Sequence, residues 1–386
     1  MKYSRNVLVD VINLRPDEIE ICDVTLRDGE QTPGTAFTRG EKVNIAQALD
    51  EIGVEVIEAG FPVVSPGEKA VVKDIADLGL NAKICCLSRA LIGDLDAALD
   101  CDVDMVSVFA ALSDTHLRFK YHKSCNEIVT CSLDALDYAK DHGLIVRFAA
   151  EDATRTPIET LKSVFKMAEE RGADYVSIAD TVGILNPSTA YYLVSEIKKV
   201  VKTRICIHCH NDLGMATANT LAAAEAGAYQ LHTTVNGIGE RAGNAALEEV
   251  LTALRIEYGI ERYRLEKLHE LSRMVEQYSG VRLAKNKPIV GDNVFLHESG
   301  IHVAAVLQEP STYELFPPEM VGGQRGFIIG KHTGTKALKG IIETMGYNLN
   351  HDQLCQLLAK VKERSERKET LNCSRLKDLI RECTKQ

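Results

Sequence analysis

The stretch Arg204-Ile-Cys-Ile-His-Cys-His-Asn-Asp212 decides the fold. Ile205, Cys206 and Ile207 form an apolar run without a polar break, as in a strand covered on both faces. His208, His210, Asn211 and Asp212 then turn the segment polar. A buried strand that becomes chargeable only at its C-terminal end belongs to a parallel sheet with a ligand site along that edge. Seven similar runs flank it, at 19–25, 54–59, 82–87, 104–109, 144–149, 175–179 and 229–235. Helical patterns lie between them. Residues 40–52 put Val43, Ile45, Ala46, Leu49 and Ile52 on one side, and 157–171, 187–201 and 242–257 behave similarly. Gly53, Gly143, Gly172 and Gly227 stand between helix and strand, where a left-handed cap is wanted. The expected fold is therefore an α/β chain with a (β/α)8 TIM barrel. A doubly wound sheet fits less well, because no Gly-rich dinucleotide loop follows the first strand.

Beyond residue 260 the period changes. Residues 263–279 read as helix, 286–335 show no clear period, and 336–345 and 351–386 return to helix. The charged run VKERSERKE at 361–369 reads as a solvated helix face. The expected organisation is a catalytic barrel with an N-terminal extension over 1–260 and a mostly helical C-terminal region over 261–386.

Composition narrows the function. Lys and Arg total 45 against 55 Asp and Glu, a net charge of −10, which argues against a nucleic-acid coat or an anionic-membrane binder. No apolar run is long enough to span a bilayer, and the N-terminus lacks the core of a secretory signal. The eleven cysteines follow no disulfide framework, and Cys206 and Cys209 form the only CxxC spacing. Reduced core thiols in a cytoplasmic protein are the expectation.

Chargeable residues gather at the expected top of the barrel. His208 and His210 are two apart, so a strand sets both imidazoles on one face and Cys209 on the other. With Asp28 at the end of the first strand they make a facial set for a divalent metal. Arg27 reads either as a barrel-top ion pair or as an electrophile beside a metal-bound ketone. Glu58 reads as an orienter of ligands or of Arg27. Glu151 reads as a general base or as a paired structural carboxylate.

Leu26-Arg-Asp-Gly-Glu-Gln31, His208-Cys-His-Asn-Asp212 and NGIGERAGN at 236–244 resemble the signatures of the DRE-TIM metallolyase superfamily. The likeness is to its Claisen-condensing branch of homocitrate, 2-isopropylmalate and citramalate synthases, over roughly residues 19–335. The resemblance implies acetyl-CoA and a 2-oxo acid condensed on a divalent metal (Zn, Mg or Mn). It implies that Asp28, His208 and His210 hold the metal with Asn244 close by, that Arg27 polarises the ketone, and that Gln31, Glu58, Glu151 and Thr181 lie in the site.

Among these branches the chain is most like homocitrate synthases. Arg147 matches the arginine that receives the distal carboxylate of 2-oxoglutarate, and GIHVAAVLQEPSTYE at 300–314 matches the segment that supplies a catalytic histidine and tyrosine, here His302 and Tyr313. The length leaves no room for the regulatory domain usual in the isopropylmalate and citramalate enzymes. The resemblance also implies at least a homodimer, with C-terminal segments reaching the neighbouring active site. The sequence departs in places. Ala149 stands where homocitrate synthases carry serine, Cys206 stands where lysine-regulated members carry an acid, and EAGFPVVSPGE at 58–68 is closer to isopropylmalate synthases. Alternative acceptors are 2-oxoisovalerate, pyruvate or, in a Re-type citrate synthase, oxaloacetate. A lyase running the cleavage and a non-catalytic barrel are the readings from other classes.

Overall fold

A computed structural model of the chain describes residues 19–369, 371 and 373–384. The N-terminus read above for a signal, residues 1–18, lies outside the described residues. Eight parallel strands close into a barrel in chain order. They are β1 (Glu20–Asp23), β2 (Val56–Gly60), β3 (Lys83–Arg89), β4 (Met105–Ala111), β5 (Ile145–Glu151), β6 (Tyr175–Asp180), β7 (Arg204–Cys209) and β8 (Gln230–Thr233). β1 pairs with β8 and completes the ring. Each strand lies within or overlaps an apolar run of the sequence, because two buried faces leave little room for polar residues.

Helix α1 (Arg39–Ile52) shows how the sequence sets the outer layer. Thr38 and Glu41 form a reciprocal cap at its start, and Gly53 (φ 98°) closes it in the left-handed region. Ile45, Ala46, Leu49 and Ile52 are buried against the strands. Lys42 is buried too, and Glu30 and Glu68 hold its ammonium at 2.6 and 2.8 Å.

The helix expected at 242–257 begins only at Leu247 (α2, Leu247–Tyr258). The residues ahead of it fold back over the barrel mouth. Asn244 bridges His210, and Ala246 bridges Thr234. A second difference concerns the extent of the barrel unit, which runs to Leu283 rather than to 260. Helix α3 (Leu268–Ser279) buries Leu268, Leu271 and Val275. Asn236 ties it down by donating to the Ser272 carbonyl at 2.9 Å and accepting from the Ser272 hydroxyl at 2.5 Å.

From Ala284 the chain forms a second compact unit. The stretch read as aperiodic contains two paired two-residue strands, β9 (Leu296–His297) and β10 (Gly326–Phe327), and a helix, α4 (Gly300–Gln308). Helices α5 (Thr335–Thr344), α6 (His351–Glu366) and α7 (Cys373–Thr384) follow. Val303, Leu338, Leu357, Val361 and Ile380 share this unit's own core. The helical reading of 351–386 is interrupted after Glu366, where Lys368 takes a positive φ of 60°.

Candidate active site

His208 stands near the end of β7, and His210 just beyond it. The two-residue spacing turns both rings the same way. Their Nε2 atoms lie 3.3 Å apart. Asp28 Oδ2 is 3.1 Å from His208 Nε2 and 3.9 Å from His210 Nε2. Among the described residues these three form the one group of His, Cys, Asp and Glu side chains whose ligand atoms converge within 4.8 Å. Asp28 Oδ1 and Asn244 Oδ1 are buried without a hydrogen-bond partner. Orphaned oxygens beside two converging imidazoles fit a divalent ion, since buried acceptors are otherwise satisfied.

Electrostatics suit the same purpose. Burial opposes ionisation of Asp28, yet Arg27 and the imidazoles outweigh it and hold the carboxyl well below its usual range. Burial and the facing His208 ring lower His210 to about 4, which keeps its lone pairs available at neutral pH. Cys209, on the opposite face, is buried, as is Thr220 on the outer helix Ala216–Glu225 that packs against this strand.

The loop Asn236–Asn244 is shaped by glycines that admit no replacement. A Cβ on Gly239 would stand 2.2 Å from Asn244 Nδ2, and one on Gly243 would stand 1.8 Å from the Gly237 carbonyl. Both have positive φ. The Gly243 carbonyl in turn lies 3.3 Å from His210 Nδ1, fixing the ring from behind.

Arg27 reaches across this centre. Its Nε donates to Glu58 at 2.5 Å and its Nη1 to Asp28 Oδ2 at 2.9 Å. Glu58 has a second partner, the Arg147 guanidinium. One fully buried carboxylate thus serves two guanidiniums, and together they hold it below its ordinary range against burial.

Arg147 sits deeper than its expected place at the end of β5, because the strand continues to Glu151. Only 1% of it is exposed. Its Nε donates to Ser107 Oγ at 3.1 Å, and its Nη1 meets Gln230 Oε1 at 2.8 Å and His232 Nε2 at 3.0 Å. Cys22 and Cys85 sulfurs lie at 3.3 and 3.8 Å. Of these partners, Glu58, Ser107 and His232 line the cavity together with Arg147.

That cavity, about 360 Å³, opens at the C-terminal ends of the strands. It brings together Gln31, Glu151 and Thr181 with the metal-type triad, Arg27 and Arg147. Phe61, Leu87, Phe109, Ala149 and Ala179 supply its apolar wall. Thr181 Oγ1 accepts from the Asp152 amide at 2.8 Å. Both Glu151 oxygens accept from Lys120 Nζ at 2.7 Å, and His116 Nδ1 stands 3.8 Å away. In the second unit His302 stacks on Tyr313, with centroids 3.8 Å apart.

Sequence reasoning passed over Gln230, His232, Ser107 and Lys120. Gln230 and His232 carried a usable signal, the same two-residue alternation on β8 that exposed the histidines of β7. Lys120 carried none, because it lies in a short helical turn, Leu117–Tyr121, too brief for periodicity to reveal its path.

Comparison with known proteins places the chain. Residues 18–275 match the family described as HMGL-like, and residues 289–369 match the homocitrate synthase post-HMGL domain-like family. Homocitrate synthase AksA of Methanosarcina acetivorans is 63% identical, over 98% of this chain and 94% of the relative. A 2-isopropylmalate synthase of Methanocaldococcus jannaschii is 49% identical, over 90% of this chain and 68% of the relative. The solved HMG-CoA lyase of Bacillus subtilis superposes with a TM-score of 0.62 at 23% identity, over 73% of this chain and 97% of that one. The closed barrel is the fold of that lyase, and by its sequence the chain belongs to the HMGL-like family, in the group that carries the homocitrate synthase post-HMGL domain.

Proposed function

We propose that the protein is a homocitrate synthase, an acyltransferase that condenses acetyl-CoA with 2-oxoglutarate and hydrolyses the thioester to give homocitrate and CoA. Near-full-length relatives with that name support the reaction. The charge balance of Arg27, Glu58 and Arg147, of which the last two are buried, supports the acceptor. Arg27 and Arg147 share the single carboxylate of Glu58, so with Asp28 committed to a metal the trio carries one surplus positive charge. A buried surplus cation favours an acceptor with a second carboxylate over one with an apolar tail. Arg147 meets that carboxylate from the cavity side, where Ser107 and His232 flank it.

A divalent ion held by Asp28, His208 and His210, with Asn244 beside them, supplies Lewis-acid polarisation of the acceptor ketone when bound. Arg27 donates to the alkoxide as charge develops there. Glu151 takes a proton from the acetyl methyl group, once Lys120 yields its carboxylate. The carbanion equivalent so formed attacks the ketone carbon. Water then cleaves the thioester, which makes the overall step irreversible. Thr181 and Gln31 border the acceptor.

A substrate panel tests this reading. CoA release is followed with 2-oxoglutarate, 2-oxoadipate, 2-oxoisovalerate, pyruvate and oxaloacetate. 2-Oxoglutarate should have the highest kcat/KM; preference for 2-oxoisovalerate or pyruvate overturns the acceptor assignment. Consumption of a product-like thioester without condensation would mark a lyase.

The proposal extends to a cytoplasmic homodimer in which His302 and Tyr313 act on the partner's barrel. Their stacking fixes the pair as a unit. Ten of the eleven cysteines are free thiols, which suits a reducing compartment. Mixing equal amounts of His302→Ala and Asp28→Ala chains should restore about a quarter of parental activity, since about half of the randomly paired dimers are heterodimers and each of these has one intact site of two. Heterodimers with no recovered activity would refute exchange.

A further inference from the structure

The donor of the proposed reaction carries its acetyl group on a long arm whose other end is a phosphorylated adenine nucleotide. The cavity accounts for the reacting end only. After β4 the chain reads Leu117-Arg-Phe-Lys-Tyr-His-Lys123: three cations and an imidazole within seven residues, on a chain of net charge −10. No carboxylate lies between Asp114 and Glu127. Arg118, Phe119, Lys120, His122 and Lys123 are exposed. Neither Arg118 nor Lys123 is paired with a carboxylate among the described residues, whereas most surface cations of the barrel are.

Phe119 exposes 69% of its surface, and the Arg118 guanidinium lies 5.1 Å from its ring centroid. The segment is held in shape despite its exposure. Ser113 is bonded to the buried Asp152 and caps the turn at Asp114–His116. His122, at φ 52°, ends the helical turn, and the Lys123 amide donates back to the Leu117 carbonyl at 3.3 Å. Lys120 ties this rim to the chemistry, because its ammonium grips Glu151 while lying 5.6 Å from the Phe109 ring centroid in the cavity wall.

We propose that the rim Arg118–Lys123 binds the phosphorylated adenine nucleotide end of the donor, with Arg118 and Lys123 on the phosphates and Phe119 against the base. The assignment rests on the reading of the donor as an acyl-CoA. Unpaired cations recognise phosphate oxygens, and an aromatic face beside a guanidinium suits a purine. The span from the rim to Glu151 is then bridged by the donor's flexible arm.

The test compares acetyl-CoA with acetyl-pantetheine, the same thioester without a nucleotide. In the Arg118→Ala/Lys123→Ala variant, KM for acetyl-CoA should rise about tenfold or more while kcat stays within about twofold. KM for acetyl-pantetheine and for the 2-oxo acid should not move. The charge-preserving Arg118→Lys/Lys123→Arg variant should recover most of the affinity. Calorimetric titration with CoA itself should show the same loss without any turnover. Equal losses with both thioesters, or unchanged CoA binding in the double alanine variant, would overturn the site. If no 2-oxo acid supports turnover yet CoA binding depends on the rim, the reaction falls and the site stands.

Discussion

Asp28→Ala should leave the barrel folded, empty its metal centre and lower kcat/KM by about 10³-fold or more, the scale on which Lewis-acid stabilisation of several kcal/mol acts. Asp28 is the one carboxylate of the triad, and both Nε2 atoms face it. Without it, two neutral imidazoles share a buried site with no anion to balance a dication. His208→Ala should match it, because each leaves two ligands of three. Metal content by plasma spectrometry and activity should fall together. Adding Zn, Mg or Mn to chelated parent protein and following CoA release then identifies the working ion. A variant of either kind that stays fully active without metal would remove the centre from the mechanism.

Arg147→Leu should have two separable effects. The first is on folding. Glu58 loses one of its two cations while remaining fully buried. Breaking a buried pair from one side costs about 3–5 kcal/mol. At about 2–4 °C per kcal/mol this predicts a Tm lower by roughly 6–20 °C. The second effect is on the acceptor. KM for 2-oxoglutarate should rise well over tenfold, because its distal carboxylate meets an apolar wall, while KM for acetyl-CoA changes little. Arg147→Leu combined with Glu58→Gln separates the two. It removes the stranded carboxylate and should regain much of the stability without regaining affinity for 2-oxoglutarate. A single variant that binds 2-oxoglutarate normally would show that Arg147 serves the barrel alone.

The barrel and its triad were legible because both are periodic. Strands covered on two faces spell themselves out in Ile, Val and Cys, and alternation fixes which histidine neighbours which. Asp28 was reachable because it lies in the turn just after β1, the strand that closes the ring beside β8. Pairings across the barrel were not legible. That Glu58 belongs to Arg27 and Arg147 at once depends on how far each side chain reaches inward, and β5 running to Glu151 set Arg147 deeper than its sequence position implied. The late start of α2 was hidden for a similar reason, since a helical pattern in 242–246 yields to the pull of Asn244 toward His210. In the second unit, strands of two residues are too short to leave any periodic trace.

The thiols of the barrel have a practical meaning. Cys22, Cys85, Cys86 and Cys206 are fully enclosed, and burial raises each of them above the ordinary thiol range. Cys131 of the barrel and Cys355 of the second unit are exposed. A maleimide or disulfide reagent therefore meets surface sulfurs that react at once and, inside the barrel, sulfurs that react only when the ring of strands opens. The slow phase of labelling is a clock for that opening, written into the molecule without any engineered probe, and substrates that close the cavity should slow its ticking.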